Sequence, residues 1–180
     1  GAGTSDIAIC REGSVVGYTM ATVAGDEITE ALMRTYLVDY RTAEEMKAAL
    51  GQSETITFTD ILGMEQTCGA EEVLDAADQA GQSLVDEVAA RVLELNGGAP
   101  SALLLAGGGS KLSSLREKMA QALGMDPRRV ALAGAHFKTS AFSDTVELED
   151  PEYTTPLGIA VSAGLELISD SYRIDRKSTR

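Results

Sequence analysis

The sequence predicts an α/β fold, on three observations. Apolar residues alternate with polar or small ones over 6–24, which indicates short strands. Over 70–95 they recur every three or four residues, which is the spacing of one helix face. The apolar run at 102–106 precedes three glycines and a further helical pattern. A strand and helix joined in this way place a ligand at the carboxyl end of a sheet.

The first part of the chain is predicted to hold three strands and two helices. A loop at 11–13 joins the first two strands, and 18–23 supplies the third. A helix begins near Asp26, a residue type that caps helix N-termini well. The second helix opens at Thr42, which has the capping-box spacing to Glu45.

A strand at 55–61 precedes the long helix at 70–95. Because the run at 102–106 has no polar position, we expect a strand covered on both faces, with Leu104 buried. Ser110 is predicted to cap the next helix. The remaining predicted elements are a strand at 130–132, a loop at 134–152, a closing helix from Pro156 and a frayed tail at 171–180.

Composition narrows the function classes. The chain has 180 residues, with 15 Lys or Arg, 28 Asp or Glu and a formal net charge of −13. A length of this order fits one domain with a small inserted lobe. The acidity argues against nucleic acid or an anionic membrane as partner, because both are bound through clustered Lys and Arg.

The cysteine and histidine content excludes several kinds of site. Cys10 and Cys68 are too few for a disulfide framework or a four-ligand zinc site, and a Ser-His-Asp scheme would depend on His136 alone. No signal peptide or membrane-spanning run is evident, so a cytoplasmic setting is expected. Because the chain opens on a turn-like sequence without Met, we expect an excised fragment.

Two glycine-rich segments are candidates for anion binding. Gly1-Ala2-Gly3-Thr4-Ser5 can bring several N–H groups and hydroxyls close to a phosphate, although a hairpin or a cloning remnant would look the same. Gly107-Gly108-Gly109-Ser110 opens a predicted helix, where anions are favoured, although a tight turn is the alternative. The second segment is not a Walker motif, since no Gly-Lys-Ser or Gly-Lys-Thr follows at the required spacing.

Glu44 and Lys47 lie three residues apart, so they share one face of the predicted helix. From the residues alone, an exposed surface ion pair that contributes little stability is the favoured interpretation.

These segments together resemble the actin-like ATPase superfamily, which includes actin, the DnaK chaperones, FtsA and MreB. Gly1–Ala8 resembles its second phosphate motif, and Gly25–Thr29 resembles a helix start of the bacterial members. Ala43–Gly51 is similar to the FtsA and MreB segment whose Glu and Lys reach the nucleotide ribose. Leu103–Ser110 resembles the adenosine motif, and Pro151–Gly158 the segment before the closing helix of FtsA.

The resemblance implies a ribonuclease-H-like α/β fold, with a mixed sheet, helices and a small inserted subdomain. This chain would be the second half of the ATPase domain. The strand ending in Asp that precedes the second phosphate motif in the family is absent, as is the first lobe. The implied division is a sheet lobe at 1–25 and 96–170, an inserted subdomain at 26–69, a returning helix at 70–95 and the tail at 171–180.

The resemblance also implies a set of site residues and cofactors. ATP would bind in the complete protein, with Mg²⁺ held mostly by phosphates and waters. No catalytic residue and no metal ligand is expected in this half. The phosphate-binding residues would be Gly1, Gly3, Thr4 and Ser5. The adenosine-binding residues would be Glu44, Lys47, Gly107, Gly108, Gly109 and Ser110.

The sequence leaves three functions open, two for proteins that use ATP and one for a domain without catalytic activity. An FtsA-like protein would act in cell division or cytoskeletal assembly, with slow ATP turnover and filament or division-protein partners besides the missing first lobe. The alternative is a DnaK-type chaperone ATPase domain or an ATP-dependent enzyme activator on the same fold. A non-catalytic domain that kept the fold is the third.

Overall fold

A computed structural model describes residues 2–112, 114–133, 150–155 and 158–159. The strands are β1 (Ser5–Arg11), β2 (Ser14–Ala21), β3 (Thr55–Thr59), β4 (Glu65–Gly69), β5 (Leu103–Leu105) and β6 (Val130–Leu132). The α-helices are α1 (Gly25–Tyr36), α2 (Tyr40–Ala49), α3 (Ala70–Asn96) and α4 (Leu115–Ala122). Three short 3₁₀ helices lie at Gly108–Lys111, Pro127–Arg129 and Pro151–Tyr153. None of the described helices is both long enough and apolar enough to cross a membrane.

The described strands pair as three two-stranded sheets. The β1–β2 and β3–β4 pairs are antiparallel hairpins, and β5–β6 is parallel. The predicted third strand at 18–23 is wrong, because β2 continues through Tyr18 without a break. No turn residue interrupts it, and Gly17 still pairs with Ile9. The turn before it is as predicted, with positive φ at both Glu12 and Gly13.

Strand β4 was missed, because its sequence is polar and does not alternate. Its neighbour β3 ends at Thr59 rather than at 61, since a turn intervenes. In that turn, the Asp60 carboxylate accepts from the N–H groups of Leu62 and Met64, each at 2.9 Å. A side chain that satisfies its own backbone competes with strand pairing, which is why the hairpin turns at this point.

Helix α2 begins two residues before the predicted start. The Asp39 side chain accepts from the backbone N–H of Thr42 at 2.8 Å, so Asp39 is the N-cap and Thr42 lies in the first turn. Helix α1 likewise begins just ahead of Asp26. The Ala24 N–H donates to the Glu27 carboxylate at 2.7 Å. This hydrogen bond satisfies a backbone N–H group at the helix N-terminus, where such groups have no acceptor within the helix.

Helix α3 confirms the predicted long helix. The residue that follows its last turn is Gly97, whose φ of +72° ends the helix. Its 27 residues extend over about 40 Å. One buried cluster joins its first half to α1, α2 and β3, through Ile28, Leu32, Val38, Ala43, Met46, Ile56, Phe58, Val73 and Ala77. The other joins its second half to β1 and α4, through Ile7, Val85, Ala89, Val92, Leu115, Met119 and Leu123. The division into lobes stays a prediction.

Two expectations around β5 are wrong. The side chain of Leu104 is 68% exposed rather than buried, while both of its neighbours in the strand are half-buried. Ser110 does not cap α4, because the chain first forms the 3₁₀ turn at Gly108–Lys111 and α4 starts only at Leu115. Most of the predicted closing helix from Pro156 lies outside the described residues. The same is true of most of the loop at 134–152, with His136, and of the tail at 171–180.

Candidate functional site

The N-terminal glycine turn lies against the start of α1. The Asp26 N–H donates to the carbonyl oxygen of Ala2 at 2.8 Å, and a methyl group at Gly3 would lie 3.6 Å from an Asp26 carboxylate oxygen. The Ser5 hydroxyl donates to the carbonyl oxygen of Val23 at 2.8 Å, so it is engaged within the protein. Thr4 is exposed.

Gly1 lies outside the described residues. Of the other predicted phosphate-binding residues, Gly3 and Thr4 are exposed, and the Ser5 hydroxyl is engaged within the turn.

Glu44 and Lys47 form an ion pair that is also anchored on α1. Lys47 Nζ lies 2.5 Å from Glu44 Oε1, 2.7 Å from Thr29 Oγ1 and 3.3 Å from the Gly25 carbonyl oxygen. The Thr29 hydroxyl, which is fully buried, also contacts Glu44 Oε1. The side chains of Lys47 and Glu44 are 25% and 39% exposed. The pair is therefore a partly buried connection between α1 and α2 and not the free surface pair that the spacing alone favoured.

The electrostatics of this connection favour a charged carboxylate. Partial burial would by itself raise the pKa of Glu44. The hydrogen bonds from Lys47 and Thr29 outweigh that effect, so the pKa of Glu44 lies below its ordinary value. Glu44 is thus a deprotonated acceptor at neutral pH.

The second glycine segment forms an open turn. Gly107 has a φ of +88°, and its N–H donates to the carbonyl oxygen of Pro151 at 2.9 Å. A methyl group at Gly108 or Gly109 would meet no atom within 4 Å, so both glycines border open space. Ser110 is buried, and its hydroxyl donates to the Gly107 carbonyl oxygen at 2.7 Å. Ser110 therefore closes the turn, and the two glycines after Gly107 provide its exposed surface.

Ionic contacts hold this turn against the segment at 150–153. Lys111 Nζ lies 2.7 Å from Asp150 and 3.0 Å from Glu152. These two carboxylates raise the pKa of Lys111. Two of the three N–H donors of Lys111 therefore serve these carboxylates.

Leu112, which directly follows the 3₁₀ turn of the second glycine segment, approaches Gly81 of α3, as does Ile28 of α1. A methyl group at Gly81 of α3 would lie 3.7 Å from Ile28 Cδ1 and 3.8 Å from Leu112 Cδ2. Leu112 also packs against both buried clusters. The N-terminal glycine turn and the Glu44–Lys47 pair therefore contact the first turn of α1 directly, whereas the second glycine segment approaches α3 at a glycine that Ile28 also approaches.

The described residues include two open clefts that the predicted site residues do not line. One, of about 480 Å³, lies beside Pro100, Met125, Arg128 and Arg129. The other, of about 700 Å³, runs between α1 and α3. The described residues contain no cluster of three or more His, Cys, Asp or Glu side chains that could hold a metal ion.

Sequence comparison decides the family. Residues 1–158 match the family model described as cell division protein FtsA. The chain belongs to the FtsA family. No curated protein matches the sequence closely enough to count as a relative.

Solved structures agree on the fold. The chain resembles a protein of the PilM–PilN type IV pilus biogenesis complex at 23% identity and a TM-score of 0.60, over 90% of this chain and 43% of that one. It resembles MreB5 of Spiroplasma citri bound to ADP at 19% identity and a TM-score of 0.58, over 92% and 53%. For EutJ of Carboxydothermus hydrogenoformans the identity is 16% and the TM-score 0.51, over 73% and 41%. The expected actin-like, ribonuclease-H-like ATPase fold is confirmed, and the chain spans about half the length of these structures.

Proposed function

We propose that this chain is the adenine-nucleotide-binding half of an FtsA-like ATPase. One observation carries the proposal. The glycine turn and the Glu44–Lys47 pair, which are distant in sequence, both contact the first turn of α1 through Asp26 and Gly25. The solved MreB5 structures, which share this fold, carry ADP or AMPPNP.

Each segment has a part in the proposed site. Backbone N–H groups near Gly3, with the Thr4 hydroxyl, would bind phosphate oxygens. The open surface at Gly108 and Gly109 would accept the adenine ring, because no side chain occupies the space there. Bound Mg²⁺ would supply positive charge that neutralises the phosphates beside the Asp26 carboxylate.

This half alone is not expected to hydrolyse ATP. A half-site leaves the far face of the nucleotide in water and cannot enclose the charge that develops on the phosphates during transfer. We place the complete protein in cell division or cytoskeletal assembly, in the cytoplasm, with filament or division-protein partners. The FtsA family match favours this role over a DnaK-type chaperone.

The experiment is a titration of the isotope-labelled chain with ATP and Mg²⁺, followed by amide chemical shifts. Shifts are expected at Gly107, Gly108, Gly109, Glu44 and Lys47 before any at Gly3 or Thr4. The expected Kd is weaker than about 100 μM, which corresponds to under about 5.5 kcal/mol. If millimolar ATP moves none of these signals, the proposal is wrong.

A matched pair of variants tests the adenine side. Gly108→Val should abolish the shifts, since a branched side chain would occupy the open space. Gly69→Val is the control, because φ there is −67° and an added methyl group would meet Glu72 at an ordinary contact distance of 3.7 Å. Equal binding by both variants would place the adenine elsewhere.

A further inference from the structure

The open cleft between α1 and α3 has a floor of small side chains. Its volume is about 700 Å³, and Ala31, Ala76 and Ala80 line it. These three alanines are half-buried, whereas most of the longer side chains around them are exposed. Because alanine side chains are short, the cleft is a groove with depth between its two edges.

Both edges of this groove carry negative charge. Glu27 and Glu30 lie on the α1 side, and Glu72 and Asp75 lie on the α3 side. Within the described part of the chain, none of these four carboxylates is in an ion pair. The basic residue among those that line the groove is Arg34. Four carboxylates therefore stand against one guanidinium.

The segment at 171–180 has the opposite charge balance. It lies outside the described residues, and it holds four of the 15 Lys and Arg residues of a chain whose formal net charge is −13. Its one acidic residue is Asp175, and Tyr172 and Ile174 are its large apolar residues. The segment therefore has four positive charges against one negative charge, the reverse of the groove. The four basic residues are Arg173, Arg176, Lys177 and Arg180.

The chain between the described structure and this basic segment is long enough to reach the groove. The last described residue is Ile159, whose side chain is 65% exposed. An extended chain spans about 3.3 Å per residue, so residues 160–172 can bridge about 40 Å. That distance matches the length of α3, the longest helix among the described residues. Attachment to the same molecule also gives the segment an effective concentration on the order of millimolar at the groove.

We propose that the acidic groove between α1 and α3 is the docking surface for the basic segment 171–180 of the same chain. The basic side chains pair with carboxylates on both edges, and the apolar residues of the segment pack on the alanine floor. Each exposed ion pair contributes little by itself, so docking depends on several pairs together and weakens with salt. The sequence alone predicts a frayed tail, and the groove supplies the surface of opposite charge that orders it.

The first test reverses the charge of the tail in the isotope-labelled 180-residue chain. Arg176→Glu combined with Lys177→Glu should move the amide signals of Ala31, Ala76 and Ala80. Raising NaCl from about 0.1 M to about 1 M shortens the Debye length from about 10 Å to about 3 Å, and it should move the same wild-type signals in the same direction. The tail-reversed chain should respond less to salt, because its tail is already released.

Arg128→Glu combined with Arg129→Glu is the matched control. It changes the net charge by the same amount and also replaces two adjacent basic residues, but these line the other cleft. The amide signals of the three alanines should stay in place.

A charge swap tests the pairing directly. Glu30→Lys combined with Asp75→Lys should give tail amide signals that coincide with those of the wild type at high salt. Joining this groove reversal to the tail reversal places opposite charges together again. The combined chain should recover about half or more of the salt-dependent shift that either reversal removes alone.

A synthetic peptide with the sequence of 171–180 tests whether the tail occupies the groove of its own molecule. Added to the tail-reversed chain, the peptide should move the signals of the three alanines. The wild-type chain should need about tenfold more peptide for the same shift, because its attached tail competes at an effective concentration on the order of millimolar.

Several results would contradict the inference. Alanine signals that stay in place in the tail-reversed chain, or that move equally in the control, would mean that the tail does not dock there. Wild-type shifts that change on dilution would assign the groove to the tail of a second copy. Equal peptide affinity for the wild-type and tail-reversed chains would mean that the groove takes an external basic segment and not its own tail. The wild-type salt response needs no substitution, so it decides the question even where a variant fails to fold.

Discussion

The backbone N–H of Asp26 donates to the carbonyl oxygen of Ala2 across 2.8 Å, which ties the N-terminal glycine turn to the start of α1. The residue before Asp26 accepts from Lys47 through its own carbonyl oxygen. The first turn of α1 therefore orders two segments that lie on either side of it in sequence. A change at this turn should affect both of them together.

The capping of α2 gives the first prediction. Asp39→Ala removes the acceptor for the Thr42 N–H and should cost about 1 kcal/mol of unfolding free energy. Thr42→Ala should cost clearly less, because the backbone N–H that is capped remains. Urea unfolding of both variants measures the difference. If Thr42→Ala is the more damaging change, the capping-box interpretation was correct after all.

The sequence could indicate most of the elements because their signals are local. The periodicity over 70–95 identified α3 to within one residue, and the run before the glycines identified β5. The sequence could not indicate β4, since its polar residues form a strand only through pairing with β3. Burial also depends on tertiary packing, which is why an all-apolar run did not predict the exposure of Leu104.

That exposure gives the second prediction. Leu104→Ala should change the unfolding free energy by under about 0.5 kcal/mol, because the side chain is already 68% exposed. Leu32→Ala is the matched comparison. Leu32 is fully buried in the cluster around α1, so its truncation should cost about 2–5 kcal/mol. Denaturant melts in which Leu104→Ala is as costly as Leu32→Ala would contradict the described packing of β5.

The third prediction concerns Gly81, a buried glycine inside α3. An added methyl group would lie 3.7 Å from Ile28 and 3.8 Å from Leu112, which is ordinary contact. Gly81→Ala should therefore stabilise the protein by up to about 1 kcal/mol through helix propensity. Gly17→Ala is the contrast, since its methyl group would come within 3.1 Å of Leu95 and should destabilise instead. Thermal melts of the two variants measure whether each substitution raises or lowers the stability. A loss of stability in Gly81→Ala would mean that Gly81 is packed more tightly than the structure describes.

The candidate site was only partly predictable from sequence, for a physical reason. Glycine-rich turns and an i, i+3 charge pair are visible in the linear pattern. Thr29 lies in the segment Gly25–Thr29 that resembles a family helix start, but its contact with Lys47 forms only when folding brings α2 across α1. The resemblance implied Ser5 and Ser110 as ligand contacts, and in the structure the hydroxyls of both residues donate to backbone carbonyl oxygens. Which polar side chains remain free is decided by local hydrogen bonding that the spacing does not encode.

The last prediction is a pH dependence of stability that originates at Glu44. Its pKa is below the ordinary value in the folded protein, since hydrogen bonds from Lys47 and Thr29 outweigh the effect of burial. A carboxyl with a depressed folded pKa stabilises the protein above its unfolded value, near 4.3, and loses that contribution as the pH falls through the folded pKa. The difference in unfolding free energy between wild type and Glu44→Gln should therefore be greatest near neutral pH and shrink below about pH 4.3.

The control for this pH dependence is the adjacent Glu45→Gln. Glu45 pairs with Arg41 at 2.9 Å, but the two side chains are 64% and 87% exposed, so solvent screens the pair. The difference in unfolding free energy between wild type and Glu45→Gln should be small, because a screened surface pair contributes little stability. Urea unfolding at several pH values measures both series, and the other titrating carboxylates cancel because every variant shares them. A Glu44→Gln difference that stays constant or grows as the pH falls would mean that Lys47 and Thr29 do not favour the charged form of Glu44.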